Sequence, residues 1–148
     1  MIRLAIETVA AAIRDCAAQA NAHSIPRIGR KPAPMVADFD AQIASGDLYV
    51  AIDGDVDFQG FIVFYPEGRH MLLENVAVLP RAAGRGIGKT LITFCEDEAR
   101  RRGFEAVQLY TNEKMTENLS IYPRLGYAEV ARLTENGFHR VSFEKRLS

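Results

Sequence analysis

The sequence has few cysteines, almost no net charge and no long apolar run. Its 148 residues include two cysteines, Cys16 and Cys95, which is typical of reduced thiols in a reducing compartment and not of a disulfide scaffold. A formal net charge of −1 gives no global positive field, so we expect neither a nucleic acid nor a membrane as partner. No apolar stretch reaches about 18 residues, and Glu7, Arg14 and Asp15 interrupt the alanine-rich start, so we expect a cytoplasmic protein.

Metal-ligand patterns are also missing from the sequence. His23, His70 and His139 fall in separate connections or strand ends, and neither cysteine has a metal-ligand spacing. We therefore expect no metal site.

Local patterns predict the order strand, two helices, three strands, helix, strand, helix, hairpin. Apolar residues at three- and four-residue steps predict helices at 6–21, 35–44, 90–102 and 116–124. Alternating apolar residues between turn signals predict strands at 2–4, 48–52, 58–65, 71–79, 106–110, 127–133 and 139–145. This order predicts a single domain, residues 1–148, of the α/β class and α+β type. We expect one mixed, mostly antiparallel seven-stranded sheet with about four helices.

A glycine-rich turn, Gly84-Arg85-Gly86-Ile87-Gly88, precedes the third predicted helix. Glycines at alternate positions leave the main chain open to a ligand, and the N–H groups at the start of a helix favour an anion. Arg81, Arg85 and Lys89 add positive charge around the turn. The pattern predicts a phosphate site.

Other interpretations of this turn stay open on these grounds. It is either a solvated surface turn or an anion site, and residues 83–90, Ala-Gly-Arg-Gly-Ile-Gly-Lys-Thr, also match the relaxed spacing of a nucleotide P-loop. The preceding hairpin and the absence of a terminal Asp from strand 106–110 argue against a P-loop. A dinucleotide fingerprint fits worse, because its third glycine would fall at Lys89.

Three segments together resemble the GNAT superfamily of acyl-CoA-dependent N-acyltransferases. They are Val76-Ala77-Val78-Leu79-Pro80, the glycine-rich turn, and Asn118 and Tyr122 with Leu125-Gly126-Tyr127. The resemblance covers nearly the whole chain, including the order of strands and helices. It implies an N-acetyltransferase that moves an acetyl group from acetyl-CoA to a primary amine of a small molecule or peptide by direct attack. A homodimer is left open, and the alternative is a coenzyme-A-binding regulatory domain without catalysis.

The same resemblance implies which residues bind acetyl-CoA. They are Val76, Ala77, Val78, Arg81, Gly84, Arg85, Gly86, Ile87, Gly88, Lys89, Asn118 and Tyr122. The family's loop usually begins with Gln or Arg, where this chain has Ala83. We expect Arg81 or Arg85 to substitute for that contact with the pyrophosphate.

Two catalytic roles follow from the resemblance. Tyr122 matches the tyrosine that stands near the thioester sulfur, so we assign it as general acid. Glu74 is the one carboxylate in strand 71–79, which the resemblance makes the floor of the catalytic cleft, and we assign it as general base, directly or through a water. Strand alternation puts Glu74, Val76 and Val78 on one face of the sheet.

The acceptor would be bounded by the segment 24–34 and the turns 65–68 and 134–138. Arg27, Arg30 and Lys31 in the first of these suggest an acceptor that carries a carboxylate, with a solvated loop as the alternative.

Overall fold

The structure, a computed structural model, describes residues 1–21, 37–54, 57–112, 116–135 and 137–147. Its internal contacts divide the chain into two compact units. Unit 1 comprises Met1–Phe64 and Asn75–Phe94, and unit 2 comprises Tyr65–Glu74 and Cys95–Ser148. The single-domain organisation stays a prediction.

Seven strands and four α-helices make up most of the described residues. The strands are β1 (Ile2–Leu4), β2 (Leu48–Asp53), β3 (Asp57–Glu67), β4 (His70–Val78), β5 (Ala106–Asn112), β6 (Ala128–Glu135) and β7 (Phe138–Arg146). The helices are α1 (Ala10–Asn21), α2 (Phe39–Ala44), α3 (Ile87–Arg101) and α4 (Thr116–Arg124), with short 3₁₀ helices at Glu7–Val9 and Pro80–Ala82. The predicted order of elements is confirmed.

The strands form one mixed sheet in the order β1-β2-β3-β4-β5-β7-β6. The pairs β1–β2, β2–β3, β5–β7 and β6–β7 are antiparallel. β4 and β5 are parallel, with Leu73 opposite Leu109, and α3 makes the crossover that a parallel pair requires. The predicted mixed, mostly antiparallel sheet of seven strands is therefore confirmed.

In unit 1, helices cover both faces of β3. Phe61 and Phe64 are buried and lie three residues apart, so they point to opposite faces of the strand. Phe39 of α2 packs edge-on against Phe61, with ring centroids 5.5 Å apart. Phe94 of α3 packs against Phe64 at 6.0 Å and Tyr49 at 4.9 Å. The end of α3 that carries Phe94 is thereby anchored to the core of this unit.

In unit 2, the central strands have one apolar face and one polar face. Val107 and Leu109 on β5, and Val141 and Phe143 on β7, are buried. On the other face Gln108, Tyr110, Ser142 and Glu144 are only partly buried, and Gln108 donates a hydrogen bond to Glu144 at 2.8 Å. The apolar face holds the unit together, while the polar face offers functional groups.

Several predicted boundaries are wrong. The helix expected at 90 begins at Ile87, because Gly84 and Gly86 adopt positive φ and turn the chain earlier. The helix expected at 35 begins at Phe39, where the Asp38 carboxylate caps it by accepting a hydrogen bond from Ala41 N at 3.1 Å; residues 35 and 36 lie outside the described residues. β3 runs on through Pro66 to Glu67 instead of ending at 65.

Within the described ranges, no helix has the length and apolar composition that crossing a membrane requires.

Candidate active site

The glycine-rich turn in unit 1 presents main-chain N–H groups at the start of α3. Gly84 and Gly86 have φ of 82° and 75°, a region that strains other residues. The first hydrogen bond of the helical ladder joins Thr90 N to Gly86 O at 3.0 Å. The amides of Ile87, Gly88 and Lys89 precede that bond, so the helix itself supplies no acceptor for them. With Arg85 and Lys89 exposed beside them, these amides suit an anion.

Thr90 closes the first turn of α3 with its side chain. Its Oγ1 donates a hydrogen bond to Gly86 O at 2.9 Å, beside the main-chain bond from Thr90 N to the same oxygen.

Arg81 has a different contact from the one expected. Its Nη2 donates to Asp57 Oδ1 at 3.0 Å and to the Phe58 carbonyl at 2.9 Å. Arg81 thus ties the 3₁₀ helix to β3, and of the two residues expected to replace the missing Gln or Arg at Ala83, Arg85 is the better placed.

The end of β4 lies against Gly60 of β3. An ideal Cβ at Gly60 would lie 2.5 Å from the Ala77 carbonyl oxygen and 3.2 Å from Val78 Cα. A Cβ at Gly88 would lie 3.7 Å from Val78 Cγ2, so the first turn of α3 also adjoins this strand end. Unit 1 therefore brings together the main chain of residues 76–78 and the glycine-rich turn. Gly60 was missed from the sequence, although a glycine inside a strand signals a close approach of this kind.

The alternation predicted along β4 is confirmed. Glu74, Val76 and Val78 are half-buried, while Asn75 and Ala77 are buried.

In unit 2, the Glu74 carboxylate has a tyrosine partner. The Tyr65 hydroxyl donates a hydrogen bond to Glu74 Oε1 at 2.9 Å. Burial, followed by this hydrogen bond and the charge of Glu74, raises the pKa of Tyr65. Tyr65 therefore stays a neutral donor that fixes one carboxylate oxygen. Sequence reasoning placed Tyr65 at the end of strand 58–65 and in a turn that bounds the acceptor, but it did not pair Tyr65 with Glu74.

Tyr122 occupies the C-terminal turn of α4. Tyr127 N and Gly126 N donate to the carbonyls of Tyr122 and Pro123 at 3.1 Å each, with Gly126 at φ 97°, the pattern of a Schellman motif. The centroid of the Tyr122 ring lies 6.1 Å from that of Tyr127 and 5.7 Å from that of Phe143. Burial raises the pKa of Tyr122 to about 12, so its hydroxyl keeps its proton at neutral pH. As expected, the helix that contains Pro123 is short, at nine residues.

Asn118 lies one turn before Tyr122 in α4, but its side chain lies outside the described residues. The same holds for Arg27, Arg30 and Lys31.

A buried polar network lies next to Tyr122. Tyr127 donates its hydroxyl to Glu96 Oε2 at 2.8 Å, and Lys145 Nζ donates to Glu96 Oε1 at 3.1 Å. Glu96 and Tyr127 are buried. Burial, followed by the charge of Glu96, raises the pKa of Tyr127. The network joins α3 and β7 to Tyr127, three residues after α4, and so supports the turn that carries Tyr122.

The cysteines are poor nucleophiles in this fold. Both are unpaired and fully buried. Burial and then Asp15 raise the pKa of Cys16 to about 12, and burial is also the main cause that raises the pKa of Cys95. A covalent acyl-cysteine route is therefore disfavoured. In the part of the chain that the structure describes, no three His, Cys, Asp or Glu side chains are grouped to hold a metal ion.

Known proteins share both the sequence pattern and the fold. The streptothricin acetyltransferase of Streptomyces lavendulae is 28% identical over 91 residues, which is 60% of this chain and 48% of that protein. The chain spans less than half the length of the curated relatives it matches.

Two crystal structures illustrate the likeness in fold. A GNAT-family acetyltransferase from Listeria monocytogenes has a TM-score of 0.77 at 17% identity, over 99% of this chain and 94% of that one. A GNAT-family acetyltransferase from Elizabethkingia anophelis with acetyl-CoA bound has a TM-score of 0.61 at 22% identity, over 74% of this chain and 81% of that one.

A family model spans both the glycine-rich turn and Tyr122. It is the model of the acetyltransferase (GNAT) family, and it matches residues 13–127. The chain therefore belongs to the acetyltransferase (GNAT) family.

Proposed function

We propose that this chain is an N-acetyltransferase that transfers the acetyl group of acetyl-CoA to a primary amine of a small molecule or peptide in a ternary complex. The observation that carries the proposal is the row of amides at Ile87, Gly88 and Lys89, ahead of the first helical hydrogen bond and beside the end of β4. Acetyl-CoA in the Elizabethkingia anophelis structure supports this choice of ligand.

Acetyl-CoA would be held mainly by main-chain groups. The amides at the start of α3 would bind the pyrophosphate, with the positive charge of Arg85 and Lys89 beside them. The main chain of residues 76–78 would pair with the amides of the pantetheine arm. Because these contacts are main-chain ones, Ala83 in place of Gln or Arg weakens the site without abolishing it.

Acetyl-CoA supplies an activated thioester, and the chain must manage two protons. A lysine-like amine with pKa ~10.4 is free base in only about one molecule in a few thousand near pH 7, so a base must take its proton. The ammonium first loses one proton to this base; then the C–N bond forms as the C–S bond breaks, the nitrogen loses a second proton and the sulfur gains one. We assign the first proton to Glu74, directly or through a water.

Tyr122 is assigned the role of assisting the departure of the thioester sulfur. With a pKa of about 12, its hydroxyl is protonated near neutral pH. A free thiol has pKa ~8.5, so Tyr122 is the weaker acid and acts best while negative charge builds on the sulfur, by donating a hydrogen bond.

The test measures release of free coenzyme A from acetyl-CoA over a panel of primary amines. We expect turnover by the wild type and at least a tenfold lower kcat in Tyr122→Phe. The affinity for acetyl-CoA should stay within about twofold, since phenylalanine keeps the ring contacts. Tyr49→Phe, which alters a stacked tyrosine of unit 1, is the matched control.

Two outcomes would contradict the proposal. Binding of acetyl-CoA without turnover of any amine would indicate a regulatory coenzyme-A-binding domain. Full activity in Tyr122→Phe would remove Tyr122 from the chemistry.

A further inference from the structure

Unit 2 carries a row of polar side chains across three neighbouring strands. Leu73 pairs with Leu109 in the parallel ladder, so Glu74 and Tyr110 are the next residues along β4 and β5. Tyr110 pairs in turn with Ser142 of β7. All three side chains are partly exposed, whereas Leu73 and Leu109 are buried, which places the row on the polar face.

Arg140 lies on the same face, two residues from Ser142. Its Cζ lies 4.3 Å from the centroid of the Tyr110 ring, a cation–π contact. The planar guanidinium of arginine has N–H donors that match a carboxylate with two hydrogen bonds.

Opposite charges flank Tyr110 on this face. Glu74, held by the Tyr65 hydroxyl, lies on the β4 side, and Arg140 extends over the ring from β7. Neighbouring strands are ~4.8 Å apart, so β4 and β7 are separated by about 10 Å, a gap that the long side chain of Arg140 shortens. A negative group and a positive group across one aromatic ring match a molecule with an amine at one end and a carboxylate at the other.

We propose that Arg140 binds the carboxylate of the acceptor and that the acceptor is a free amino acid, with its amine on the Glu74 side of Tyr110. The inference rests on the proposed acetyltransferase function and adds the class of acceptor to it. It assigns the carboxylate to Arg140 of the hairpin and not to Arg27 or Arg30.

The experiment compares each of the common amino acids with its own carboxamide, which keeps the side chain and amine but removes the negative charge. Initial rates of coenzyme A release give kcat/KM, corrected for the fraction of free amine at the assay pH. We expect the best amino acid to exceed its carboxamide by about 10- to 100-fold, the worth of a charge-assisted pair of hydrogen bonds. In Arg140→Gln the ratio should fall to about one, through a higher KM for the acid.

Two further variants test whether the preference depends on the planar guanidinium of Arg140. Arg140→Lys keeps the positive charge but loses the paired N–H donors, so its ratio of kcat/KM for acid over carboxamide should be intermediate. Arg132→Gln removes an exposed arginine of β6 that pairs with Glu129 at 3.0 Å, and it should keep the wild-type ratio within about twofold. Circular dichroism melts confirm that the variants compared are folded.

The outcomes separate this inference from the function on which it rests. Turnover of amines with no preference for the carboxylate, or a preference that survives in Arg140→Gln, overturns the amino-acid assignment and leaves the acetyltransferase standing. No turnover of any amine overturns the acetyltransferase, and the inference with it.

Discussion

Replacing Gly60 with alanine should disturb the end of β4. The added Cβ would lie 2.5 Å from the Ala77 carbonyl oxygen, whereas ordinary contacts begin at 3.4 Å, so about 0.9 Å (3.4 − 2.5) of movement is needed. Val78 Cα at 3.2 Å blocks part of that movement. Forcing an extra group into a packed interior costs ~1–3 kcal/mol. For a chain of this size that corresponds to a fall in Tm of roughly 3 to 10 °C.

The same shift moves a strand end that is proposed to pair with the pantetheine arm. One weakened hydrogen bond costs ~0.5–1.5 kcal/mol, so the Kd for acetyl-CoA should rise up to about tenfold. Differential scanning calorimetry measures the Tm, and isothermal titration calorimetry measures the Kd of the folded variant.

Gly88→Ala is the control for stability. Its Cβ would meet Val78 Cγ2 at an ordinary 3.7 Å, and Gly88 lies in the first turn of α3 without a positive φ. Its Tm should therefore equal or exceed that of the wild type. A Gly60→Ala variant with wild-type Tm and wild-type Kd would refute the reasoning, because β4 would then adjust without cost.

Two other predictions concern the buried network and the tyrosines. Glu96→Gln places an amide against the Lys145 ammonium and should lower the free energy of unfolding, measured in urea, by ~3–5 kcal/mol. The control Glu98→Gln, which removes the pair with the exposed Arg101, should lower it by less than ~1 kcal/mol. Equal losses in the two variants would contradict the role of the buried network. Because the folded-state pKa values of Tyr65, Tyr122 and Tyr127 exceed the unfolded value of ~10, their contribution to stability is fully present below pH 10 and is lost as the pH rises above it. The unfolding free energy should fall by up to ~1.4 kcal/mol per pH unit for each of them, and less steeply in Tyr127→Phe. If the unfolding free energy of Tyr127→Phe fell with pH as steeply as that of the wild type, the contribution of Tyr127 would be contradicted.

The fold could be predicted because its signals are local. Apolar periodicity and turn residues gave the order of seven strands and four helices, and that order determined the sheet. The start of α3 was missed by three residues, since the positive φ of Gly84 and Gly86 depends on backbone geometry that periodicity does not report. The glycine-rich turn was predictable for the same reason as the helices: all of its residues are adjacent in the chain.

The partners of the site residues could not be predicted, because they lie far apart in sequence. Arg81 contacts Asp57 across 24 residues, and Glu96 contacts Lys145 across 49. One signal for the buried network was present, however. Glu96 falls on the stripe of Ile92, Cys95 and Ala99, and a carboxylate on an apolar stripe requires a buried partner.

The central claim is that the main chain at the start of α3 binds the pyrophosphate of acetyl-CoA. Nuclear magnetic resonance of the ¹⁵N-labelled chain measures it directly, through the amide resonances of Ile87, Gly88 and Lys89 during titration with acetyl-CoA. We predict that these three signals move downfield to saturation, while the amide of Gly103, beyond the opposite end of the helix, stays in place. Saturation of binding with these three amides unmoved would contradict the account.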